Sequence, residues 1–188
     1  LKHTGGFRQP GYPGWAGSYN NLQEVTEALA AAGPKYTPGS RFTYSDGGSS
    51  ALAHIVTAAS GIQVEEFIKT RIFDPLEMKE SFCMPPEEDS LRSRVSCTYS
   101  GGSNNWTKYW DNFDPPQVSY FRGSGGIFTT ASDYSLFLSM WLNNGYWNST
   151  RFLDSTTVEM AVTPSNESVA AGKPFGLHWE IYDNPIFS

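Results

Sequence analysis

Four stretches of this chain repeat apolar residues at helical spacing, and glycine or proline stops each one. In NLQEVTEALAAAG, Leu22, Val25 and Leu29 share a face, Asn21 can cap, Glu24 follows three residues on, and Gly33-Pro34 ends the run. SSALAHIVTAASG brings Leu52, Ile55, Val56 and Ala59 to one side and stops at Gly61. IQVEEFIKTRIF closes at Asp74-Pro75, because proline cannot continue a helix. ASDYSLFLSMWLNNG is the clearest of the four. Thr130 with Asp133 resembles a capping box, and Tyr134, Phe137, Leu138 and Trp141 make a stripe that reads as core. A shorter helix is expected from Asp154 or Ser155, taking in Val158 and Met160. The first twenty residues read as an irregular packed loop, and 80–120 as a long structured excursion with a short strand or two. Only Leu177 to Tyr182 has good strand composition. The inventory is mainly α with a little β.

Bulk properties exclude several classes of function. At 188 residues, with 39% hydrophobic and 17% charged, the chain suits one globular domain over 1–188. A net charge of −6, a pI near 5.0 and scattered basic residues argue against nucleic acid as a partner. No stretch has the apolar length of a membrane span. Cys83 and Cys97 leave a disulfide open, but neither has a Cys or His at metal-ligand spacing, so no metal is expected. No cofactor motif occurs either: Gly125-Gly126 lacks the lysine of a phosphate loop and reads as tight packing before the next helix. His54 and His178 read as structural residues. The sequons at Asn105, Asn148 and Asn166 matter only in a eukaryotic secretory pathway.

The segment RFTYSDGG, residues 41–48, places a phenol, a hydroxyl and a carboxylate together where a helix begins. One reading is helix capping, in which Ser45 and Asp46 take up the free N–H groups of a first turn. The other makes Tyr44 a proton-transfer group. A phenol serves as a base at neutral pH only where nearby cations stabilise the phenolate.

The order of segments carries more than any one of them. LKHTGGF, PGSRFTYSD and a helix are followed by FIKTRIFDPLEMKESF, GSGGIFTTASDYSLFLSMWLNNG and FGLHWEI. Together they resemble the serine beta-lactamase-like family: class C beta-lactamases, low-molecular-weight penicillin-binding proteins and related esterases. The resemblance covers residues 1 to about 182. It implies the helical region of a beta-lactamase/transpeptidase-like α+β fold, and acyl transfer on small-molecule or peptide amides or esters in the periplasm or outside the cell. TYSD stands at the place of the family's Tyr-X-Asn motif, which makes Tyr44 the proton-transfer tyrosine and Asp46 the substrate-binding position. His3-Thr4-Gly5 matches a structural turn by its place in the order, not a catalytic motif.

Two departures qualify that implication. The family's acylating serine precedes its lysine by three residues, on one helix face. Here the residues three before Lys35, Lys69, Lys79, Lys108 and Lys173 are Ala32, Glu66, Leu76, Asn105 and Ala170, so no Ser-x-x-Lys exists. The chain therefore reads as an internal fragment, inactive alone, with most of the catalytic sheet missing and exposed apolar surface that favours self-association. Asp46 also stands where the family has Asn, and a carboxylate only accepts hydrogen bonds where an amide also donates. That change feeds the alternative, a non-catalytic binding or signalling domain.

Overall fold

The computed structural model describes residues 1–7, 19–116 and 118–182, so most of the loop expected over the first twenty residues lies outside the described part. Helices α1 (Leu22–Ala32) and α2 (Asp46–Ser60) pack side by side. Helix α3 (Val64–Ile68) follows and widens into a π turn over Lys69–Phe73. The start of α1 is as expected: the Asn21 side chain accepts the Glu24 N–H, and the Glu24 carboxylate reaches back to the Asn20 N–H at 2.8 Å. Leu22, Val25 and Leu29 are its buried face.

Helix α2 differs from its sequence reading. Ile55 is 57% exposed and Ala59 is exposed, while Leu52 and Val56 are only half-buried. The buried positions are Gly47, Ser49, Ser50, Ala51 and Ala53. Close approach of backbone explains the choice of small residues. A Cβ on Gly47 would stand 3.0 Å from Leu29 of α1, and one on Gly123 would stand 2.1 Å from the Ser49 carbonyl oxygen. The small face lets neighbours approach closely, so the bulkier residues point away.

Between residues 80 and 128 the chain forms α4 (Asp89–Arg92) and an antiparallel hairpin of β1 (Thr98–Gly102) and β2 (Asn105–Trp110). Its two-residue turn, Ser103-Asn104, has positive φ at both positions, as a hairpin turn whose twist matches its strands requires. Helix α5 (Ala131–Leu142) follows, then a second small hairpin, β3 (Tyr146–Trp147) with β4 (Thr150–Arg151). Helices α6 (Ser155–Val162) and α7 (Asn166–Ala170) complete the elements. In α6, Val158 is buried as expected but Met160 is exposed. The hairpin β3–β4 and α7 were not legible in the sequence.

Three further expectations are corrected. The α5 stripe is not core throughout: Tyr134 is 46% exposed, and Phe137, Leu138 and Trp141 are only half-buried, while Asp133 and Met140 are buried. The capping box is half made. The Thr130 hydroxyl accepts the Asp133 N–H, but the Asp133 carboxylate accepts from the Glu80 N–H at 2.7 Å and the Ser81 hydroxyl at 2.9 Å. The expected last strand is absent among the described residues. One bridge, Phe175 to Glu180, and a turn with His178 at φ 64° replace it, because the segment bonds mainly to itself and to Ala161 and Leu1. The cysteines Cys83 and Cys97 are both free thiols.

Two apolar clusters hold the fold. Leu22, Val25, Leu29, Ala53, Val64, Val118, Tyr120 and Phe121 form the larger. Phe73, Leu76, Met78 and Met140 form the second, covered by Phe137, Trp141, Trp147 and Phe152. No described helix is long and apolar enough to cross a membrane.

Candidate functional site

Ser45 is the residue before the first turn of α2, in extended backbone, and its hydroxyl accepts the Gly48 N–H at 3.0 Å. Asp46 is the first helical residue, where the positive end of the helix dipole favours a carboxylate. The capping reading is thus correct for Ser45. Tyr44 lies two residues before the helix, 55% exposed, and its hydroxyl meets no hydrogen-bond partner among the described residues. Capping explains the hydroxyl and the carboxylate but leaves the phenol without a structural task.

The turn is held by residues 3–6. The carbonyls of His3, Thr4 and Gly6 accept from the N–H groups of Thr43, Gly39 and Lys35, each at 2.8 Å. His3 Nδ1 accepts the Ser45 N–H at 3.1 Å, and its ring lies over Tyr44 at 4.5 Å between centroids. Phe42, Phe175 and His178 meet the His3 ring edge-on at 5.8, 5.5 and 5.2 Å. The sequence placed His3 in a structural turn, but nothing in the local pattern signals its contact across 42 positions.

Burial sets the electrostatics of this cluster. Desolvation pushes the His3 imidazole down to about 4, with His178 and Lys173 adding to the shift and Asp46 opposing it. His178 is lowered as well, mainly by desolvation. Both rings are therefore neutral at pH 7. The lysines nearest the cluster are paired, Lys2 with Glu167 at 3.0 Å and Lys173 with Glu180. Beside α2 runs a groove of about 140 Å³ flanked by His3, Ser45, Ser49, Leu52, Ile55 and His178. Among the described residues no group of His, Cys, Asp and Glu could hold a metal ion. Gly125-Gly126 sits at a turn closed by the Gly125 N–H on the Arg122 carbonyl, and a Cβ on Gly126 would stand 3.3 Å from Phe121 and 3.4 Å from the Cys83 carbonyl oxygen.

The arrangement offers an accessible phenol at a helix entrance, a carboxylate on the helix N-terminus, and a neutral imidazole that packs on the phenol ring and accepts the Ser45 N–H between them. Comparison with known proteins gives the family and the fold. A protein of Escherichia coli O157:H7 named D-alanyl-D-alanine carboxypeptidase is 25% identical over 98% of this chain. The chain spans 46% of that relative's length. The octameric penicillin-binding protein homologue of Pyrococcus abyssi superposes with a TM-score of 0.70 at 21% identity, over 98% of this chain and 42% of that one. The penicillin-binding protein of Bacillus halodurans gives 0.68 at 19% identity, over 96% and 55%. The model of the beta-lactamase family matches residues 1–186, and the chain belongs to that family.

Proposed function

We propose that the chain is the helical part of a serine hydrolase domain that acts by acyl transfer on amide or ester substrates. Residues 1–188 then form one unit, while the acylating serine, its lysine and most of the catalytic sheet lie in residues beyond it. The observation that carries this reading is the exposed Tyr44 phenol at the start of α2, fixed by His3 beside an open groove. In this reading the groove receives the helix bearing serine and lysine, the lysine stabilises the Tyr44 phenolate, and the phenolate takes the serine proton. Asp46 accepts hydrogen bonds from that lysine or from the substrate. The carboxypeptidase name of the relative supports a peptide amide as substrate, and the octameric homologue supports self-association.

The test compares this chain with the full-length parent on a chromogenic cephalosporin and a short nitrophenyl ester. The chain alone is expected to be inactive. In the parent, Tyr44→Phe keeps the ring and deletes the proton path, so kcat/KM should fall by about 10²–10⁴-fold with Tm unchanged. Turnover by the isolated chain, or full activity in the parent variant, would overturn the reading. A wild-type parent inactive on both substrates would favour the binding-domain alternative, for which Asp46 in place of an amide speaks.

A further inference from the structure

The excursion that precedes α5 folds around a second cavity, of about 240 Å³. The hairpin supplies Tyr109 and Trp110, and the facing segment supplies Tyr120 and Phe128. This wall is built rather than incidental. The Trp110 indole N–H donates to the Pro115 carbonyl at 3.1 Å, and the Trp110 ring packs 6.1 Å from that of Phe128. Trp110 and Tyr120 are buried, and Tyr120 belongs to the main apolar cluster with Ala53 of α2. Tyr109 is 62% exposed and stands at the mouth.

Arg122 is the only charged residue among the described ones that line this cavity. A tight turn, closed by the Gly125 N–H on the Arg122 carbonyl at 3.0 Å, fixes its backbone. Its Nη2 lies 3.6 Å from where a Cβ on Gly125 would stand, so the guanidinium folds across the glycine that shares the cavity wall. An apolar cavity of roughly 150 Å³ takes a benzene molecule. At about 240 Å³ this one holds a phenyl ring with a short chain attached. Aromatic walls favour edge-to-face and offset ring contacts, and a guanidinium presents forked donors that match a carboxylate. On a chain of net charge −6 an anion gains little elsewhere, so selection for charge falls to Arg122.

We propose that this cavity binds a small aromatic carboxylate, its ring between Trp110, Tyr120 and Phe128 and its carboxylate on Arg122. The inference goes beyond the acyl-transfer reading and stands whether or not the parent turns substrate over. Its test uses this chain, titrated at pH 7 with 3-phenylpropionate and separately with 3-phenylpropionamide, read by calorimetry and tryptophan fluorescence. The acid should bind saturably at one site, and the amide about tenfold more weakly, the scale of one charge-assisted pair at a half-exposed position. Arg122→Gln should remove that difference by weakening the acid alone, and Tyr109→Leu at the mouth should weaken both ligands. Equal affinity for acid and amide, or no saturation by the acid at millimolar concentration, overturns the proposal. Should Arg122→Gln fail to fold, the acid–amide comparison on the native chain decides.

Discussion

His3 accepts the Ser45 N–H through Nδ1 and lies over the Tyr44 ring, and the first of these contacts requires that Nδ1 carry no proton. Desolvation, with His178 nearby, holds the folded imidazole at about 4, below the ordinary value of 6.5. As pH falls below 6.5 the unfolded chain takes up a proton that the fold refuses, so stability declines until about pH 4, where the folded ring is protonated too. Lys173 adds to the depression, Asp46 works against it, and the downward shift of His178 acts with the same sign. His3→Asn tests this, because asparagine tolerates the positive φ of 54° and keeps a carbonyl acceptor. The native chain should lose Tm between pH 7 and pH 5, and the variant should lose less over the same interval. Parallel pH profiles would remove His3 from the account. Tyr44, Ser45 and Asp46 were legible as a helix entrance because they are consecutive. His3 was not, because its contacts depend on a fold that brings residues 1–6 against 35–45.

At the scale of elements, the sequence marks where helices start and stop better than it marks which way they face. Asn21, Thr130, Gly33 and Gly61 act locally, through single hydrogen bonds and backbone angles, and each lies where expected. The face of α2 was misread because apolar spacing records bulk, whereas this packing is set by how closely Leu29 and Gly123 approach. The tail from Leu177 was misread for a related reason: strand composition describes a residue's fit to a neighbouring strand, and no described strand lies beside it. Gly123 makes the packing argument testable. In Gly123→Ala the new Cβ would stand 2.1 Å from the Ser49 carbonyl oxygen, which is backbone inside α2 and cannot swing aside. Overpacking of this kind costs about 1–3 kcal/mol, a fall of several degrees in Tm for a domain of this size. An unchanged melting curve would show that the contact is looser than the structure has it.

The whole molecule must accommodate the apolar residues that α2 turns outward. Ile55 is 57% exposed, Leu1 55% and Tyr44 55%, and Leu1, Leu52 and Ile55 border the groove of about 140 Å³. Burying this strip favours association, while the net charge of −6 opposes it. The strip offers less than the roughly 800 Å² per partner of a standard stable interface, so association should be weak and concentration-dependent. The balance moves with ionic strength. Raising salt from about 0.1 M to 1 M shortens the screening length from roughly 10 Å to 3 Å, which removes the repulsion and leaves the apolar gain. Light scattering should therefore show a mean mass that rises with protein concentration and rises further in high salt. Ile55→Glu places a charge in the middle of the strip at a position already facing water, so it should fold normally and lower the mean mass at every concentration. A monomer at high concentration in both salts would mean that groove and strip stay solvated, and the expectation of self-association would fall.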